Sequence, residues 1–296
     1  MPELPDITVY VESLAAKVRG DRLDRLRLLN PFVLRTALPP VSDIEGRRVT
    51  GVERLGKRVV IALEGDRFVV IHLMIAGRLK WLASGAKPPA KGALATLAFG
   101  GGTLVFTEAG TQRRASIHLV AGRDALAAMD PGGIDPLACD PARFAQQLAL
   151  ENHTLKRSLT NPRLFSGIGN AYSDEILHRA RLSPIMLTSR LAPGDADRLH
   201  AATRDVMREW TLRLRAEASA HGGWPDKVTA FRPEMAVHGR YGMPCPVCGA
   251  VVQRIMHADN ETNYCARCQT GGKLLADRAL STLLKRSWPK HIDDLA

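Results

Sequence analysis

Two cysteine pairs near the end of the chain constrain its fold more than any other feature. Cys245-Pro246-Val247-Cys248 and Cys265-Ala266-Arg267-Cys268 are separated by sixteen residues. Each pair can place two thiolates on one knuckle, and two knuckles complete a tetrahedral four-sulfur zinc site. Between them lie β-formers and a polar turn, Asp259-Asn260-Glu261, so the metal would clamp a β-hairpin. With sulfur in all four positions no open site remains for a catalytic water, and the single zinc expected here is structural. The redox alternative, two dithiol pairs, lacks the strand–helix–strand context it would need. Cys139 stands alone, and the clustering of the other four argues against a secreted disulfide framework.

The remaining chain reads as two further domains. At about 150 residues per domain, 296 residues suggest two. Hydrophobic residues at 45% and charged residues at 24% exclude a disordered, collagen-like or coiled-coil chain. The apolar stretch over residues 68–76 is short and broken by His72, so no membrane span is expected. The start, Met1-Pro2-Glu3-Leu4-Pro5-Asp6, is unlike a basic, apolar signal peptide, and a cytoplasmic, reduced protein is expected. Net charge is +11, with +6 over residues 1–130 and +5 over 131–296. An excess spread over both halves suits a long polyanion lying across them, each neutralised phosphate releasing counterions.

Periodicity orders these parts. Ile7, Tyr10, Val11, Leu14 and Val18 follow helical spacing, closed by Gly20. Short β-rich runs follow at 23–29, 49–55, 58–63, 68–73, 94–99 and 104–107, with turns such as Gly100-Gly101-Gly102 between them. Such a series predicts a sandwich or barrel capped by the opening helix. Gly132-Gly133-Ile134-Asp135-Pro136 reads as a linker, after which helical runs appear at 142–150, 155–159, 170–180 and 193–217. A loop over 221–233 precedes the cysteine hairpin, and a last helix-like run covers 273–286.

The N-terminus carries its own chemistry. Proline at position 2 is small enough for Met1 to be removed, which leaves a secondary amine. An amino-terminal group has an ordinary pKa near 8, so a useful fraction is uncharged at neutral pH. Such an amine attacks a sugar carbon or condenses with an aldehyde, and Glu3 beside it can move protons. Taken alone, Pro-Glu near a start is an ordinary helix entry.

Five features in order supply the context: Pro2-Glu3-Leu4-Pro5; Lys57 after Leu55-Gly56; Ile71-His72-Leu73 before Gly77; Gly167-Ile168-Gly169-Asn170-Ala171-Tyr172 with Asp174-Glu175-Ile176-Leu177; and the four-cysteine hairpin. From residue 2 to about 269 the chain resembles the formamidopyrimidine-DNA glycosylase (Fpg/Nei) family of base-excision enzymes. The resemblance implies an α+β multidomain protein. It would have an N-terminal β-sandwich with a capping helix (1–130), a helix–two-turns–helix domain (131–233) and a zinc-finger β-hairpin (234–269); a C-terminal helical extension (270–296) departs from the family by running past the finger. It implies damaged double-stranded DNA in the cleft between domains, the damaged nucleotide turned out of the stack, and a monomeric, nucleoid-associated enzyme.

Carried over by position, Pro2 is the nucleophile at the sugar C1′, Glu3 shuttles protons, and Lys57 supports elimination and contacts phosphate. Lys156 and Asn170 hold the backbone beside the lesion. Met74, Arg113 and Arg114 occupy the void left by the flipped base. Only ten lysines occur against thirty-one arginines, which gives weight to a lysine at the catalytic position.

Departures concern recognition. At the finger turn, where the family presents an arginine to phosphate, stands Asn260. The void-filling methionine is shifted (Met74-Ile75), and the aromatic wedge is Ala115. The cover over 222–239 is short, and Gly92 and Leu94 stand where DNA-contacting histidines occur. These departures also admit a DNA-binding damage sensor of the same fold without base excision. An RNA-binding zinc-ribbon protein would explain charge and cysteines but not the N-terminus.

Overall fold

The computed structural model describes residues 1–89, 91–109, 113–226, 228, 231–257, 260–276 and 289–295. It divides into two compact units, Met1–Pro131 with Trp210–Thr229, and Gly132–Glu209 with Ala230–Ala296.

The first unit opens with helix α1 (Leu4–Val18), entered through Pro5 in its first turn, with the Asp6 carboxylate accepting the Glu3 N–H at 3.0 Å. Among the described residues eight strands follow: β1 (Leu23–Leu28), β2 (Val49–Leu55), β3 (Arg58–Leu63), β4 (Arg67–His72), β5 (Gly77–Ala83), β6 (Ala93–Phe99), β7 (Gly102–Glu108) and β8 (Ser116–Ala121). They form two antiparallel four-stranded sheets, ordered β1-β6-β7-β5 and β2-β3-β4-β8. Alternate residues of β3 explain its continuous apolar run. Val59, Ile61 and Leu63 enter the main core with Ile7, Tyr10 and Leu14 of α1. Val60 and Ala62 join a second cluster on the opposite face with Phe68, Val70 and Val120, covered by Leu126 of the short helix α2 (Arg123–Ala127). A strand apolar on both sides is one buried on both sides.

Two strands escape local pattern. β5 reads Gly-Arg-Leu-Lys-Trp-Leu-Ala, without a β-branched residue, and β8 earns its place by pairing with β4, far away in sequence. The later segment of this unit packs on α1 and β5. Leu214 and Ala218 meet Val9. Arg215 grips Glu12 through two bonds, 2.8 and 2.6 Å. The Trp224 indole donates to the Leu79 carbonyl at 3.3 Å, beside Tyr10.

The second unit carries α3 (Pro141–Ala149), α4 (Leu155–Thr160), α5 (Asn170–Ala180) and the start of α6 (Asp195–Ala220). Asp140 caps α3 by accepting the Arg143 N–H at 2.7 Å, and Thr154 caps α4. The two turns between α4 and α5 are pinned by Leu164 and Phe165, whose N–H groups both donate to the Asn161 carbonyl. Gly133 passes so close to this turn that a Cβ would lie 2.4 Å from the Pro162 carbonyl oxygen.

Strands β9 (Val252–His257) and β10 (Asn260–Cys265) pair antiparallel, followed by α7 (Ala266–Thr270). Described residues beyond α7 belong to this module. The Leu274 N–H donates to the Lys290 carbonyl at 2.9 Å and the Leu275 N–H to the Tyr264 hydroxyl at 2.8 Å. Leu274, Leu275 and Ile292 share one buried cluster with Tyr264, Cys245 and Cys265. Of the helix-like run at 273–286, Lys273 lies in an extended bridge to His291, while residues 277–286 fall outside the described residues.

Candidate functional site

In the first unit the N-terminus, Glu3 and Lys57 come within electrostatic reach of one another. Pro2 and Glu3 are buried, Glu3 to 2% exposure. Lys57 owes its position to a two-residue hairpin turn. Leu55 pairs with Arg58, and Gly56 takes φ +60°, the first central position of a turn that favours glycine. Burial lowers the Lys57 amine below its ordinary value, opposed by the Glu3 carboxylate. Burial likewise lowers the Met1 amino group, with Glu3 opposing and Arg78 adding to the shift. Two amines with depressed proton affinity beside the buried Glu3 are the kind of groups that can act as nucleophile and proton carrier.

His72, at the end of β4 opposite Arg58, is held neutral. Burial first, then the charges of Arg58 and Lys57, bring its pKa down to about 4. The tight turn after it requires Gly77, where a Cβ would lie 2.2 Å from the Leu73 carbonyl oxygen. At its crest Ile75 is 62% exposed, while Met74 takes φ +52° and is partly buried. Arg113 and Arg114 are exposed on a loop anchored by Glu108, whose Oε1 accepts the N–H groups of Arg114 and Ala115 at 3.0 and 3.1 Å. Ala115 itself is buried at 3% exposure, which leaves no side chain to wedge.

In the second unit Lys156 of α4 and Asn170 of α5 are joined. The Lys156 ammonium contacts the Asp174 carboxylate and donates to the Asn170 carbonyl at 3.1 Å. Asn170 is the first residue of α5, with Gly169 as its cap, and its amide donates to the Glu261 carbonyl of β10 at 3.0 Å. Sequence reasoning missed what surrounds this pair. Asp174 Oδ2 accepts from His238 Nδ1 at 2.8 Å and from the Asn263 N–H at 3.2 Å. Glu175 accepts three successive N–H groups, those of Ala236, Val237 and His238. Burial nonetheless raises the Glu175 carboxyl above its ordinary value. Asn260 is exposed at the hairpin end; Asp259 lies outside the described residues.

The four sulfurs of Cys245, Cys248, Cys265 and Cys268 lie within 4.8 Å of one another. A tetrahedral zinc with ordinary Zn–S bonds sets sulfurs about 3.8 Å apart. The pairs at 3.9 Å (Cys245–Cys268) and 3.4 Å (Cys248–Cys265) bracket that spacing, so the residues fit one structural zinc. Cys139 is partly buried, 4.0 Å from His200, with its thiol pushed up chiefly by burial. Among the described residues no helix is long and apolar enough to cross a membrane.

Comparison with known proteins agrees with this arrangement. Residues 1–115 match the formamidopyrimidine-DNA glycosylase N-terminal domain, 133–219 its H2TH domain, and 242–271 a zinc finger found in FPG and IleRS. The chain is 31% identical to a formamidopyrimidine-DNA glycosylase of Symbiobacterium thermophilum, over 91% of this chain and 89% of that protein. It is 33% identical to that of Thermus thermophilus, over 92% and 100%. The fold is shared with Lactococcus lactis Fpg in complex with DNA containing an oxidised pyrimidine (TM-score 0.79, 23% identity, 91% of this chain and 100% of that one). With relatives above 30% identity covered over nearly their whole length, the chain belongs to the formamidopyrimidine-DNA glycosylase family.

Proposed function

We propose that this chain is a DNA repair glycosylase that excises oxidised or ring-opened bases and cleaves the resulting abasic site through Pro2. One observation carries the reading: Pro2 and Glu3, both buried, sit in one cluster with Lys57, where burial lowers the Met1 amino group and the Lys57 amine alike. Once Met1 is removed, the Pro2 nitrogen is a secondary amine. It attacks C1′ of the open-chain sugar, water leaves, and an iminium forms that acidifies the C2′ proton. Removal of that proton by a neighbouring base expels the 3′ phosphate, and hydrolysis returns the amine. Glu3 and Lys57 move these protons. Residues 1–130 serve as the catalytic part, 131–233 and 234–269 as the DNA-gripping parts, and 270–296 as an extension. The partner is damaged duplex DNA, met by a cytoplasmic, nucleoid-associated monomer.

Lys156 and Asn170 hold the phosphates beside the lesion, and Asn260 stands at the finger turn. Met74, Arg113 and Arg114 face the void left by the flipped base, with Ile75 as the side chain best exposed to enter it. Borohydride trapping tests the reading. Protein with a verified free Pro2 should form a covalent adduct with abasic duplex, attached at the N-terminus. An extra residue before Pro2 should abolish it, since an amide nitrogen is not nucleophilic. Trapping that fails with free Pro2, or persists when it is blocked, removes Pro2 as the nucleophile. The buried Ala115 favours a second reading, a damage sensor of the same fold that no longer excises bases. Duplexes carrying single defined lesions separate the two.

A further inference from the structure

The face of α5 that meets the finger carries three polar side chains one turn apart, Asn170, Asp174 and His178. Each is bonded to the finger. Asn170 donates to the Glu261 carbonyl, Asp174 accepts the Asn263 N–H, and His178 Nε2 lies 3.3 Å from Cys245 Sγ, with His178 itself 5% exposed. A metal-binding thiolate has only lone pairs to offer, so the hydrogen in this last contact belongs to the imidazole.

Four thiolates around one dication leave an excess of negative charge in a site where Cys265 is 0% and Cys245 3% exposed. N–H donors spread that charge and fix the sulfur lone pairs. Cys248 and Cys265 receive theirs from backbone N–H groups within the finger. Cys245 is reached by a side chain from outside it.

We propose that His178 is a positioning residue of the metal centre, donating its Nε2–H to the Cys245 thiolate, and that α5 thereby couples zinc occupancy to the Asn170–Lys156 phosphate grip. The coupling half rests on the reading of Lys156 and Asn170 proposed above; the hydrogen bond does not. The helix is the connector. From residue 170 to 178 it rises about 12 Å with every turn tied to the finger, so a shift of the first knuckle moves the helix start.

The test uses the full, metal-loaded chain. In protein substituted with cadmium-113, a proton–cadmium correlation from the His178 Nε2–H, passing through the Cys245 sulfur, should appear. Its absence overturns the bond whatever any variant does. In the zinc protein, His178→Phe should keep one metal per chain yet release it to a chelator about 10–100-fold faster. His178→Gln, which can still donate, should lie between. Release rates equal to wild type in both variants overturn the positioning role.

For the coupling, a duplex with a non-cleavable abasic analogue should slow zinc release from the wild-type chain and do so much less in His178→Phe, or in His178→Leu, which likewise cannot donate, where the first variant does not fold. Equal protection of wild type and variant overturns the coupling and leaves the bond standing. A wild-type chain that binds the duplex without slowing release does the same. None of these readouts requires base excision or strand cleavage, so Pro2 trapping judges the enzymatic reading separately.

Discussion

The Lys156 ammonium sits against one oxygen of Asp174, a carboxylate whose side chain is 0% exposed. A fully buried carboxylate is costly unless its oxygens are paired, and the other oxygen is met by His238 and the Asn263 N–H. The lysine that the sequence offers as a phosphate ligand is thus held on a fixed charge rather than left on a free stem.

Asp174→Asn should therefore cost about 3 kcal/mol of stability, because it leaves the largely buried Lys156 charge uncompensated. Lys156→Met in the same chain should recover part of that loss, a coupling that urea unfolding of both single variants and the double variant measures directly. Additive losses would show that the pair does not act as a unit.

Acid should weaken the sandwich through His72. Its folded pKa, about 4, lies below the ordinary imidazole value of 6.5, so between those limits the unfolded chain binds more protons. Stability is fully present above pH 6.5 and is lost as pH falls through 4, by about 3 kcal/mol from this group. Thermal melts of His72→Gln should show a flatter decline over that window than wild type.

The pH dependence of trapping reports the amine. Pro2 is buried, and burial disfavours a charged amine, so adduct formation by free Pro2 should persist to lower pH than with a short peptide bearing the same N-terminus. Identical acid limbs for protein and peptide would place the proline in water, not in the buried cluster.

Metal loss should be local. Cys265→Ser should release zinc, loosen β9 and β10 and weaken duplex binding. The near-ultraviolet circular dichroism of Trp81 and Trp224, packed 6.2 Å apart in the first unit, should remain. Loss of that signal together with the metal would contradict independent cores.

The crest of the β4–β5 turn should decide excision more than cleavage. Ile75→Ala removes the exposed side chain that would offset unstacking, worth about tenfold in excision of a base lesion, while cleavage of a preformed abasic site should change little. Equal losses in both reactions would deny Ile75 a wedge role. The same incomplete wedge should make oxidised guanine opposite cytosine a poorer substrate than ring-opened purines or oxidised pyrimidines, which single-lesion kinetics would show.

How much of this was legible depended on distance along the chain. The cysteine knuckles are local, and their spacing alone located the zinc. The opening helix and β3 announced themselves through periodicity and a continuous apolar run. β8 did not, because its evidence is a partner more than forty residues earlier, at β4. Pro2, Glu3 and Lys57 were legible only through family resemblance, since nothing in a Gly-Lys turn says which carboxylate it will face. Asp174, His178 and His238 were silent for another reason. A buried polar residue is explained by its partner, and His178 and His238 find theirs more than sixty residues away, between α5 and the segment that carries the finger. The one local hint was the four-residue spacing of Asn170, Asp174 and His178 on a helix expected to bind phosphate.

The hairpin that presents Lys57 carries a consequence for how such a chain diverges. Leu55 and Arg58 pair directly across it, leaving two residues and no slack. Point changes along β2 and β3 can accumulate while the lysine keeps its direction. One residue gained or lost in the turn would instead carry the lysine to the opposite side of the sheet or force a bulge to absorb it. Length, more than identity, is what descent must conserve there, and a lineage whose turn has changed length has abandoned this lysine even where one still stands in its sequence.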